Sequence, residues 1–242
     1  MSLTACASKK LAVSNADTLI SYQMNKRLPL EYKQKEKLAK DIDQFLNVHK
    51  ADAKEILPLI DEIRLEQPVD AQYTKIEDFY KKITKDFTKI IVKYMAMLDE
   101  SQQKEFFETF KLENERGIQK DKFTRRKHVE DRVKIAVGSI TDEQRKILDQ
   151  YDVYFEERMN KRHEMREQLY QKFQEIYKSR QDLEHKFEQA FLAYQSENLD
   201  NAKNLEIIKK IIPTLNHDQK EELKNQVAQV KEIIALFIST NY

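Results

Sequence analysis

Glycine is nearly absent from this chain: 2 residues in 242, beside 4 prolines, 1 cysteine and no tryptophan. Mixed and all-β folds join their strands by tight turns, which draw on Gly, Pro, Asn and Asp. So few turn residues exclude both classes. A single cysteine excludes an intramolecular disulfide framework. Two glycines are too few for a glycine-rich phosphate loop, and no Gly-x-Ser-x-Gly elbow occurs. No apolar run reaches the length of about 18 residues that a spanning helix needs. Excess charge of one sign is missing as well. The 43 basic and 42 acidic side chains leave a net +1, so there is no bulk attraction to nucleic acid. No nucleic-acid partner, no cofactor and no metal is expected, and the sequence identifies no small-molecule substrate.

What is present is charge and helix formers. Charged residues make up 35% of the chain and apolar residues 40%, enough for a core beneath solvated helix faces. Apolar spacing predicts a short helix over 16–27, ended by Pro29, then one to about 49 through Leu38, Ile42, Phe45 and Leu46. Asp52 is expected to cap a third helix, interrupted near Pro58 and stopped by Pro68. A fourth, over 72–97, buries Ile76, Phe79, Tyr80, Ile83, Phe87, Ile90, Ile91 and Tyr94.

Three later segments share one pattern. They read Leu98-Asp99-Glu100-Ser101-Gln102, Ile140-Thr141-Asp142-Glu143-Gln144 and Leu215-Asn216-His217-Asp218-Gln219. Each is a capping box: the short side chain accepts from an early helix N–H, and the glutamine reaches back to the cap's own N–H. Acidic residues between them suit the positive helix end. The spacing is unequal, so this is reused helix-start chemistry and no solenoid.

The boxes start helices over 101–137, 142–195 and 217–239. Gly138 suits a left-handed C-cap between the first two. A short helix through Ile207, Ile208, Ile211 and Ile212, stopped by Pro213, precedes the last. The stretch 142–195 has neither Gly nor Pro, and its second half sets Leu169, Phe173, Ile176, Leu183, Phe187, Ala190 and Tyr194 four and three apart. That is a coiled-coil seam in which Arg180 fills the polar slot. The expected fold is all-α: an elongated helical bundle built around a long antiparallel helical hairpin, with one domain over 15–242.

The lone cysteine sits at the start, in Leu3-Thr4-Ala5-Cys6. This order resembles a bacterial lipobox, in which the chain is cut before the cysteine and its sulfur takes a diacylglyceryl group. The n- and h-regions of a signal peptide are missing, so Met1-Ser2 reads as a replacement for them. The resemblance implies a mature start at Cys6, acyl chains that hold the membrane, and a lipobox and tether over 1–14, with Ser8-Lys9-Lys10 as the polar tether. Ala7 in place of Asp implies the outer membrane, with the protein facing the periplasm.

The wider chain resembles an uncharacterised family of bacterial lipoproteins. The features that carry this are the lipobox, Asn15-Ala16-Asp17-x-Leu19, Gln34 before a helix ending near His49, and Leu57-Pro58. Leu98 with Gln102, Asn114, Arg125-Arg126 and Gly138-x-Ile140-Thr141-x-x-Gln144 follow in order. The likeness covers about 6–195 and implies location and fold, with no activity. The Thr-x-x-Gln boxes are also similar to those of small periplasmic LTxxQ-type helical chaperones, which implies a holdase as an alternative function.

Little chemistry stands out. Five histidines are scattered at 49, 128, 163, 185 and 217, and are expected to be solvated. A helical di-metal site needs paired Glu-x-x-His motifs; Asp182-x-x-His185 is the nearest approach. One charge feature stands above background, a basic belt of Lys120, Lys122, Arg125, Arg126, Lys127, Arg158 and Arg162 that suits phosphates or an acidic partner. The alternative is an ordinary solvated face. The expectation is therefore a non-catalytic envelope lipoprotein that binds or scaffolds, anchored to the membrane at Cys6 and open to a protein partner or client. An envelope hydrolase or metal enzyme is the remaining alternative.

Overall fold

The structure is a computed structural model that describes residues 11–61, 70–198 and 202–242, with the side chains of 118–126 and 128 outside the description. The chain is an all-α helical bundle, and no strand occurs among the described residues. The elements are α1 Ala16–Arg27, α2 Tyr32–Asp61, α3 Asp70–Ala96, α4 Glu100–Val137, α5 Asp142–Asp149, α6 Asp152–Ser179, α7 Leu183–Asn198, α8 Ala202–Ile211 and α9 His217–Ser239. A 3-10 turn, Ile212–Thr214, separates the last two. The described residues pack as two compact units. The first is drawn from Met1–Phe110, Ile176–Gln189 and Gln229–Tyr242; the second from Lys111–Glu175 and Ala190–Ala228.

In the first unit α2 and α3 run antiparallel. Asp41 meets Lys93 and Tyr94, and Asp52 meets Lys82, so the register holds over three turns. What sets this register is a pair of glutamines. The box at Asp99 forms as expected: Gln102 N–H donates to Asp99 Oδ1 at 2.8 Å, and Asp99 N–H to Gln102 Oε1 at 3.0 Å. Gln34 does the same for the start of α2, taking the Glu31 N–H at 2.8 Å. The two turns then dock. Gln102 Nε2 donates to the Pro29 carbonyl at 2.7 Å and to Gln34 Oε1 at 2.8 Å, and Gln34 Nε2 to the Met97 carbonyl at 3.3 Å. Leu30 and Leu98, each one residue before a box, are buried beneath.

The second unit repeats the device. The boxes at Thr141 and Asn216 both close. Gln144 and Gln219 then exchange two amide bonds, each 2.9 Å, and are 0% and 1% exposed. Gln144 Nε2 also reaches the Thr214 carbonyl and Gln219 Nε2 the Ser139 carbonyl. In all four cases the acceptor lies two residues before the partner's cap. Ile140 and Leu215 join Val137, Leu148, Tyr151, Ile207 and Ile211 in the core below, against which Val129, Val133, Ile147 and Phe155 pack. Gly138, at φ +80, takes the left-handed C-cap expected of it, its N–H on the Lys134 carbonyl.

Two expectations about helix continuity are corrected. Residues 32–61 form one helix, with Pro58 inside its last turns, so Asp52 is mid-helix and caps nothing. Its carboxylate serves His49 and Lys82 instead. The stretch 142–195 is three helices, not one. At 150–151 the N–H groups turn back to carbonyls three residues earlier, and Tyr151 drops into the core. At 180–182 the chain reverses, with Arg180 at φ 52 and Asp182 at φ 50.

The seam residues Phe187 and Phe173 each pack on a ring from the other side of the turn. Tyr177 meets Phe187 at 4.9 Å between ring centroids in the first unit, and Phe173 meets Phe191 at 5.0 Å in the second. The two halves of the seam cover each other, and Arg180 is the turn between them. A non-glycine residue at a left-handed C-cap carries backbone strain. Its side chain pairs with Glu100, both well exposed, which contributes little. Arg180→Gly is therefore expected to raise stability by about 1 kcal/mol, read as a higher Tm; a lower Tm would show that the ion pair outweighs the strain.

Candidate functional site

Chemistry-bearing side chains gather along the α2–α3 pair of the first unit. An open groove of about 310 Å³ runs there, lined by Asp41, Gln44, Phe45, Val48 and His49 of α2 and Asp86, Lys89, Ile90 and Lys93 of α3. Its floor is apolar: Phe45 packs on Phe87 at 5.3 Å and on the His49 ring at 4.5 Å, and Val48 stands 61% exposed. One end is closed by Asp41, which accepts from Lys93 Nζ at 2.7 Å and Tyr94 OH at 2.8 Å. Burial, aided by the Asp41 charge, pushes the Tyr94 hydroxyl well above its ordinary range, so it stays a donor.

The other end holds His49. Sequence spacing suggests a solvated ring; it is 3% exposed. Nδ1 lies 2.6 Å from Asp52 Oδ2, and Nε2 lies 3.7 Å from Asp86 Oδ2. Lys82 holds the second oxygen of Asp52, and Lys89 that of Asp86 at 2.7 Å. The cluster is a chain, Lys82–Asp52–His49–Asp86–Lys89, that crosses from α3 to α2 and back. The hydrogen bond from Lys82, first, and that from His49 keep the Asp52 carboxyl below its usual value, against the opposing effect of burial.

A carboxyl lowered on folding contributes stability that is fully present above its unfolded value, near 3.8, and is lost as pH falls through the lower folded value. Asp52→Asn is expected to flatten that acid limb in a Tm-against-pH profile. An unchanged slope below pH about 4 would refute the assignment.

Among the described residues no group of three or more His, Cys, Asp or Glu is placed to hold a metal. The lining is made of carboxylate, lysine, glutamine, histidine and apolar side chains.

The residues singled out from sequence fall elsewhere. Cys6 lies outside the described residues. So do the side chains of Lys120, Lys122, Arg125 and Arg126, although their backbone is part of α4. Of the rest of the belt, Lys127 and Arg162 are exposed, while Arg158 donates to Tyr154 Oη at 3.2 Å and Asn204 Oδ1 at 3.1 Å. Arg158 is thus engaged with α8. The groove itself was missed because its two sides lie on different helices, and because Asp52 matches a helix cap as well as it matches a His partner three residues away. His49-x-x-Asp52 was the available signal.

The chain matches no family model, no curated protein and no solved structure.

Proposed function

We propose that this is a non-catalytic lipoprotein of the bacterial cell envelope, anchored through Cys6 in the outer membrane and facing the periplasm, that binds or scaffolds a protein partner. The groove between α2 and α3 carries the binding half of this reading. It is open, its floor is Phe45, Val48 and Ile90, and its charged rim is neutralised by its own ion pairs. Such a surface offers loose apolar contact while the rim stays soluble. Every lysine on it is already engaged by a carboxylate, which argues against an activated amine. The anchoring half rests on Leu3-Thr4-Ala5-Cys6.

Each half has its own experiment. A fatty-acid probe fed to cells expressing the full-length precursor is expected to label wild type and to leave Cys6→Ser unlabelled; equal labelling ends the anchoring. For binding, light scattering by a denatured client is followed with and without the protein at a stoichiometric ratio. Suppression that is lost in Val48→Asp supports a holdase at the groove. Suppression untouched by Val48→Asp places client contact elsewhere, and none at low salt removes the holdase reading. The variant changes a side chain that is 61% exposed, so its fold is expected to be intact.

A further inference from the structure

We infer that His49 is a proton-operated clasp between α2 and α3, holding Asp52 alone when its ring carries one N–H and both Asp52 and Asp86 when it carries two. The inference concerns helix contacts only and stands apart from the envelope and binding reading.

The argument is one of donors and acceptors. A carboxylate only accepts, so the 2.6 Å contact between Nδ1 and Asp52 places a proton on Nδ1. A neutral ring then has a bare lone pair at Nε2. That lone pair faces Asp86 Oδ2 at 3.7 Å, an acceptor opposite an acceptor, too far and of the wrong kind for a hydrogen bond. A second proton converts Nε2 into a donor. Asp86 is then drawn to a charge-assisted distance of about 2.8 Å, and α2 and α3 are joined through one ring.

The neighbours decide what the proton meets. From α2 the ring faces Asp52; from α3 it faces Asp86, with Lys82 and Lys89 behind the two carboxylates. Glu55 lies close enough to act on Lys82, and Glu188 of α7 on Lys89. The two lysines and two aspartates cancel, so a charged ring adds one positive charge at the groove's end, beside the acidic Glu55 and Glu188. Asp52 stays ionised while an imidazole titrates, because its carboxyl is held below the usual range. Protonation therefore adds a bond to Asp86 without costing the one to Asp52.

The test is nitrogen-15 NMR of the imidazole rings in the full chain, between pH about 8 and about 5. His49→Gln identifies the signals of His49 among the 5 histidines. A Nδ1–H resonance is expected throughout. A second, slowly exchanging Nε2–H is expected to appear on acidification, and to be lost in Asp86→Asn and Asp86→Ser while the Nδ1–H remains. Three results overturn the clasp: a ring that becomes charged without a protected Nε2–H, a ring that never takes a second proton in this range, or a Nε2–H that survives in both Asp86 variants. Amide spectra of the variants confirm that the helices are intact.

Discussion

Gln144→Ala is expected to destabilise the protein by about 3 kcal/mol, a large share of a typical folding free energy. The residue is fully buried and serves four groups: the Thr141 N–H, the Thr214 carbonyl, and both ends of the Gln219 amide. Removing it leaves the Thr141 cap N–H without its partner and strips two bonds from Gln219. Each buried polar group left unmade costs about 1–3 kcal/mol, whereas a bond made contributes only about 1. The asymmetry gives a second test. Gln144→Leu and Gln219→Leu each strip two bonds from the other buried amide, but the double variant leaves no such half-bonded amide, so its loss is expected to fall short of the sum of the singles by about 1 kcal/mol or more. Chemical denaturation measures all three. Additive losses, or a Gln144→Ala loss under about 1 kcal/mol, would reduce the paired amides to independent caps.

Phe187→Ala is expected to cost about 3–5 kcal/mol. Phe187 is fully buried, with its ring against Tyr177, and Tyr177 in turn hydrogen-bonds the Met95 carbonyl at 2.7 Å and meets Phe107 edge-on at 5.7 Å. One ring thus ties the end of α6, the start of α7, the end of α3 and the start of α4. The measurement also separates two folds. In a continuous helix over 142–195, Phe187 and Tyr177 lie ten residues apart, about 15 Å along the axis, and share no contact. A double-mutant cycle between Phe187→Ala and Tyr177→Ala is therefore expected to show coupling of about 1 kcal/mol. Zero coupling would restore the continuous helix and sink the reversal at 180–182.

The two units use the same piece of chemistry, and this bears on how the groove arises. In the first unit the docked boxes hold the start of α2 beside the end of α3. Every later contact along the pair, from Asp41 with Lys93 to Asp52 with Lys82, follows from that starting register. The groove is thus a product of helix-start chemistry at its far end. Its apolar floor is left open because Val48 points outward while its neighbours Leu46 and His49 turn in.

Helix content was legible in the chain because it depends on local properties: few breakers, apolar residues at helical spacing, and caps whose donors and acceptors lie three residues apart. The bounds of α1 and α9, the reach of α4, the left-handed Gly138 and all three boxes follow from such short-range chemistry. The tertiary structure decided everything that needs a second surface. Boxes paired because each glutamine caps with its Oε1 and keeps its Nε2–H groups to donate, and the docked turn offers buried acceptors for them. Residues 142–195 folded back at Arg180 because an apolar seam must be covered, and the second half of the same seam was nearest. His49 became a buried ring between two carboxylates because α3 brought Asp86 and Lys82 to it from more than thirty residues away. Spacing along one helix holds no information about a partner on another, so the cluster around His49 could be read only once the helices had been packed.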